Sequence, residues 1–151
     1  MRALLPVPAL AVLVLLAGCG GGGGGGGDRL SQADFVKQGN AICKDYNAKI
    51  EALGDPKDAS EVRSFVDKAG GLVDEAMGKL DALSPPKKVE DDLAELITSS
   101  KKTKDAAQDL AKAVEDKDQK ALAKVTETGD RLDKQSDALA TKIGLTECAK
   151  N

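Results

Sequence analysis

Four stretches of this chain repeat apolar residues every three or four positions, the spacing at which an α-helix brings side chains onto one face. The first, residues 31–53, aligns Phe35, Gly39, Ile42, Tyr46, Ile50 and Leu53. The second, 59–83, aligns Val62, Phe65, Val66, Ala69, Val73, Ala76, Leu80 and Leu83. The third, 86–115, aligns Val89, Leu93, Leu96, Ser100, Thr103, Ala107, Leu110 and Val114. The fourth, 119–143, has the cleanest heptad: Leu122, Val125, Gly129, Leu132, Ser136, Leu139 and Ile143. Helix boundary signals separate them. Ser31 with Asp34 reads as an N-cap with a carboxylate in the first turn. Gly54-Asp55-Pro56 ends the first helix, and Asp58 with Glu61 resembles a capping box for the second. Ser84-Pro85-Pro86 stops one helix and starts the next, since proline suits a first turn and not an interior. Asp116-Lys117-Asp118 is a short turn, and Gly144 stands where a helix-ending glycine belongs. Connections this short force neighbouring helices antiparallel. The expected fold is all-α: an up-down-up-down antiparallel four-helix bundle over residues 31–151, preceded by a disordered glycine-rich tether.

The segment ahead of the bundle has a different pattern. Met1-Arg2 leads into an apolar run at 3–16, interrupted by Pro6 and Pro8. It falls short of the roughly 20 apolar residues a spanning helix needs and fits the core of a signal peptide. It closes on Leu16-Ala17-Gly18-Cys19, which resembles a bacterial lipobox. In signals of that kind Cys19 is lipidated and residues 1–18 are removed. The alternative is an ordinary cleaved signal with a chance cysteine, but such a signal usually has small residues at both −3 and −1, and here Leu16 occupies −3. Residues 20–27 are all glycine. Such a run resists ordering and reaches roughly 15 Å on average. Residues 19–30 would then be the lipidated cysteine and its linker, although a repeat expansion without function would look the same. The expected location is the extracytoplasmic face of the cell membrane, with acyl chains as the attachment.

Charge narrows the partners. The formal net charge of −3 is spread over a mixed surface, with no basic patch for nucleic acid or anionic lipid. Aromatic residues are limited to Phe35, Tyr46 and Phe65, so an aliphatic core would gain from a covalent staple. Cys43 and Cys148 are an even pair in an exported chain, which reads as a disulfide. It would close a loop of about 105 residues, credited by chain entropy with roughly 4–5 kcal/mol. Two free thiols or a metal pair is the alternative, and a metal would need further soft ligands in a chain without histidine. To meet Cys43, the tail carrying Cys148 must fold back along the first helix, with Leu145 covering an apolar edge.

These features together carry a resemblance. A lipobox, a low-complexity tether, Ala33-Asp34-Phe35-Val36 with Asn40-Ala41-Ile42-Cys43, and Ile143-Gly144-Leu145 with Cys148 resemble small alanine-rich lipoproteins of unknown function from actinobacteria. The resemblance implies an exported helical bundle with a Cys43–Cys148 bridge and implies no activity.

Candidate chemistry is sparse. Di-iron bundles use Glu-x-x-His pairs, which a chain without histidine does not offer. Haem needs His or Met ligands, and beyond Cys19 the one methionine is Met77, which sits beside the second apolar stripe as a gap-filler. Glu115-Asp116-Lys117-Asp118 lacks the pattern of a calcium loop. A serine or cysteine nucleophile lacks a histidine base, and Asp91-Asp92 reads as a solvated helix start. No enzyme, metal or cofactor is expected. One constellation stands out at mid-height, where Tyr46, Ser100, Thr103 and Gly129 fall near one layer, with Gly70-Gly71 close by. The steric reading is that glycines make room for the tyrosine ring while Ser100 or Thr103 bonds its hydroxyl. The alternative is a small polar cavity able to hold a ligand. The expected role is a non-enzymatic interaction or structural module of the cell envelope, with an envelope protein as candidate partner. The runner-up is a ligand-binding bundle with its site near Tyr46.

Overall fold

A computed structural model describes residues 29–150. The expected signal peptide, the lipidation of Cys19 and most of the glycine tether lie outside the described residues. Within them are four α-helices: α1, Gln32–Leu53; α2, Ala59–Asp81; α3, Lys87–Glu115; α4, Gln119–Ile143. Packing runs in chain order, α1 on α2, α2 on α3, α3 on α4, as short connections require. None of the described helices is long and apolar enough to cross a membrane.

The helix ends follow from their sequences. Ser31 Oγ accepts from Asp34 N at 3.1 Å and opens α1; Gly54, at φ 66°, closes it. Asp58 caps α2 by accepting from Ser60 N at 2.8 Å. Glu61 reaches back to Lys57 N at 2.9 Å rather than to the cap residue, one position outside the expected box. α2 ends at Asp81, two residues early, because Leu83 turns back to bond Leu80 O at 3.1 Å ahead of the prolines. Asp118 caps α4 through Lys120 N and Ala121 N, and Gly144 ends it at φ 89°.

Apolar burial is uneven along the bundle. Phe35, Leu80, Ile143 and Leu145 are completely buried in a single cluster with Cys43, Met77, Leu93, Leu96 and Ala140. Full burial of such a side chain contributes about 1.5–3 kcal/mol. This cluster occupies the end where α1 begins and α4 finishes. Toward the other end, Ile50, Leu53, Phe65, Leu110, Leu122 and Val125 are only half-buried. There, Val66 of α2 and small residues of α3 make the tight contacts: Ala106, Ala111 and Ala113 are buried, while Ala107 and Val114 of the expected stripe remain partly exposed. α3 has a helix on each side, so it buries an arc wider than one stripe, taking in Ile97 and Ser99 as well.

The seam between α1 and α4 is closed by the tail rather than by the two helices meeting. After Gly144 the chain reverses along α1. Asn40 Nδ2 donates to Gly144 O at 3.0 Å, Glu147 N donates to Asn40 Oδ1 at 2.8 Å, and Asn47 Nδ2 donates to Glu147 O at 2.8 Å. Leu145 lies so close to Gly39 that a Cβ on that glycine would collide with it. The reversal ends in the Cys43–Cys148 disulfide, with Cα atoms 5.0 Å apart.

Candidate functional site

Directly below that disulfide, at mid-bundle, is a half-open cavity of about 90 Å³. α1 contributes Cys43 and Tyr46, α2 contributes Val73 and Met77, α3 contributes Leu96, Ser100 and Thr103, α4 contributes Asp133 and Ser136, and the tail contributes Cys148. Val73, Met77 and Leu96 form an apolar wall. Tyr46, Ser100, Thr103, Asp133 and Ser136 bring polar atoms to the rest.

The site exists because polar positions interrupt the apolar stripes at one level. Where Leu or Val would fill the interior, α3 presents Ser100 and Thr103, and α4 presents Ser136. Ser136 Oγ donates to Ser99 Oγ at 3.0 Å, and Ser99 Oγ reaches Leu132 O at 3.4 Å, which ties α3 to α4 at the cavity edge. Thr103 Oγ1 is buried and makes no hydrogen bond of normal geometry. It nevertheless lies near enough to Asp133 to favour the ionised carboxylate in part. Burial outweighs that help and pushes the Asp133 carboxyl above its ordinary range, with Asp137 and Asp130 adding like-charge repulsion. The Tyr46 phenol is pushed up for the same first reason, burial, with the Asp133 charge second. The cavity therefore pairs a phenol and a carboxyl that burial makes harder to ionise.

Three of the four residues expected at this site are brought together: Tyr46, Ser100 and Thr103. Gly129 is not among them. It lies in an adjoining groove of about 200 Å³, with Ala107, Leu110 and Val125. Thr103 and Asp133 line both spaces and stand between them. The steric account of the glycines does not hold. A Cβ at Gly129 or Gly71 would meet nothing within 4 Å, and one at Gly70 would meet the Lys104 side chain at 3.3 Å, not Tyr46. Of the two hydroxyls expected to bond the tyrosine, Ser100 or Thr103, Thr103 Oγ1 does not. Asp133 is the residue that the stripe pattern missed. Its signal was the 3-and-4 spacing of Asp130, Asp133 and Asp137, an acidic row running beside the apolar heptad of α4.

Among the described residues, no group of three or more His, Cys, Asp or Glu is disposed to hold a metal ion. Compared with protein-family models, curated proteins and solved structures, the chain matches none.

Proposed function

We propose that this chain is an exported lipoprotein, attached through Cys19 to the extracytoplasmic face of the cell membrane, whose bundle is a non-enzymatic binding module of the cell envelope. The observation that carries this reading is the unequal packing of the bundle relative to its tether. Leu30 N donates to Ser84 O at 2.8 Å, and Arg29 donates to Pro85 O at 2.9 Å and pairs with Glu90 at 3.0 Å. The tether thus leaves from the stapled, well-packed end. The half with Ile50, Leu53, Phe65, Leu110 and Leu122 only partly covered points the other way, where an envelope protein could reach it. The disulfide fits an oxidising compartment. The lipobox and the resemblance to small alanine-rich lipoproteins support the anchor. With no histidine in the chain and Cys43 and Cys148 bridged, the usual nucleophile–base pairs are unavailable, which favours binding over catalysis.

The test is mass spectrometry of the membrane fraction from the full chain expressed in a lipoprotein-processing host. The wild-type mature chain should begin at Cys19 and carry acyl mass there, and Cys19→Ala should lose the acyl mass and retain residues 1–18. A wild-type mature chain without added acyl mass, or a Cys19→Ala chain still cleaved after residue 18, would remove the anchor from the reading.

The Tyr46 cavity favours a second reading, a small-ligand-binding bundle. At about 90 Å³ the space is smaller than the ~150 Å³ that holds benzene and far below the roughly 300–1,000 Å³ of drug-sized pockets. The ligand would be a fragment, or would extend past Thr103 and Asp133 into the groove beyond. Non-protein mass retained in native and lost in denaturing mass spectra would support this reading; a bare chain in both would count against it.

A further inference from the structure

We propose that the cavity beside Tyr46 is a site for a small organic cation, an alkylammonium with a short apolar body, and that Asp133 holds its charge. The inference rests on the ligand-binding reading and specifies its chemistry. Four features point to a cation of this kind. The carboxylate of Asp133 is partly withdrawn from water, and the charges acting on it, Asp137 and Asp130, are both acidic, so a ligand cation would relieve repulsion already present. Thr103 Oγ1, buried beside that carboxylate and in no hydrogen bond of normal geometry, keeps lone pairs to accept from a ligand, and an ammonium carries three donors. Tyr46 lines the cavity, and an aromatic ring is a favourable neighbour for a cation. On the far side, Val73, Met77 and Leu96 would cover a short alkyl chain. An anion would meet Asp133, and a neutral polar molecule would leave its charge unmatched. At roughly 30 Å³ per water, the volume admits about three water-sized groups, so n-propylammonium, with its four heavy atoms, would fill the space and reach its open side.

Tyr46 is the one tyrosine of the chain, which has no tryptophan, so its ring signals report on the cavity without assignment of other residues. The full chain is titrated with n-propylammonium chloride, n-propanol and sodium propionate at constant ionic strength, with the Tyr46 ring followed by NMR. The expected result is a saturable shift with n-propylammonium at millimolar concentration, about tenfold weaker binding of n-propanol, and none of propionate. Asp133→Asn, with unchanged circular dichroism, should abolish the preference for the ammonium. Equal binding of n-propylammonium and n-propanol, or a preference that survives in Asp133→Asn, would overturn the cation inference and leave the cavity reading standing. No saturable shift with any probe would overturn both. Should Asp133→Asn fail to fold, the exposed Asp130→Asn serves instead: n-propylammonium should bind roughly two- to threefold more weakly and n-propanol equally well. An unchanged n-propylammonium affinity in Asp130→Asn would overturn the inference.

Discussion

Lys117 has a backbone φ of 54°, the left-handed region that glycine enters without cost and lysine does not. The turn from α3 to α4 holds it there. Asp118 N bonds Ala113 O at 3.0 Å and Lys117 N bonds Val114 O at 3.2 Å, the paired bonds of a helix-ending Schellman turn. Gly144 ends α4 with the same pattern but at φ 89° and with the residue the position favours. Lys117 contributes no ion pair to the fold among the described residues. Lys117→Gly should therefore raise stability by about 0.5–1 kcal/mol, read as an upward shift of the urea midpoint at unchanged m-value. A drop in the midpoint would mean that the lysine stem contributes packing that outweighs its backbone strain. Gly144 would not tolerate the reverse change, because a Cβ there would come within 2.9 Å of Val36 Cγ2.

Between helices, charge clips α1 to α2 at one place. Glu75 of α2 accepts from Lys49 of α1 at 2.8 Å and from Lys79 at 2.6 Å, and Asp45 pairs with Lys49 at 3.0 Å. The Glu75–Lys79 pair is legible in the sequence as an i, i+4 pair of favourable order; the reach to Lys49 is not, because it depends on the rotation of α1 about its axis. Hydrogen bonds from Lys49 and then Lys79 pull the Glu75 carboxyl down to about 2. A carboxyl depressed on folding stabilises the fold above its unfolded value and loses that contribution as pH falls. The clip should hold above about pH 4.5 and fade toward pH 2. All members are exposed, so the effect is small and screened by salt. The Glu75 side-chain carbon should titrate by NMR with a midpoint near 2, and Glu75→Gln should flatten the acid limb of the stability curve between those pH values. A midpoint in the ordinary glutamate range would show that the pairs do not persist in solution. The helices themselves were legible because caps, prolines and the 3.6-residue period agree along nearly every boundary. The outer half of α3 was not, because Ala106, Ala107, Ala111 and Ala113 are interchangeable to a pattern and only the positions of two neighbouring helices decide which are buried. At the cavity, Tyr46, Ser100 and Thr103 were legible as polar breaks in apolar stripes. Asp133 was hidden because a carboxylate one step from a heptad position reads as surface.

Across the whole molecule, the stapled half holds the large completely buried side chains, and the disulfide joins α1 to a tail that depends on Leu145 and two asparagines for its course. The outer ends of α3 and α4 lack such reinforcement, with adjoining grooves lined by Ala106, Leu110 and Val125. Few buried apolar contacts permit local opening at a free energy below that of global unfolding. Amides near residues 106–128 should therefore exchange with solvent faster than those of 89–97 and 132–143, which open only when the core does. Replacing both bridge cysteines, Cys43→Ser with Cys148→Ser, should cost about 2–5 kcal/mol of global stability. That loss should appear as faster exchange at 89–97 and 132–143, with little change in the outer hairpin, since its opening leaves the disulfide intact. If every amide instead accelerates by the same factor, the bundle opens as one unit and its two halves are not separable. The distinction bears on the proposed binding role, because an outer half that opens while the stapled half stays folded would adapt to a partner without unfolding the rest of the bundle.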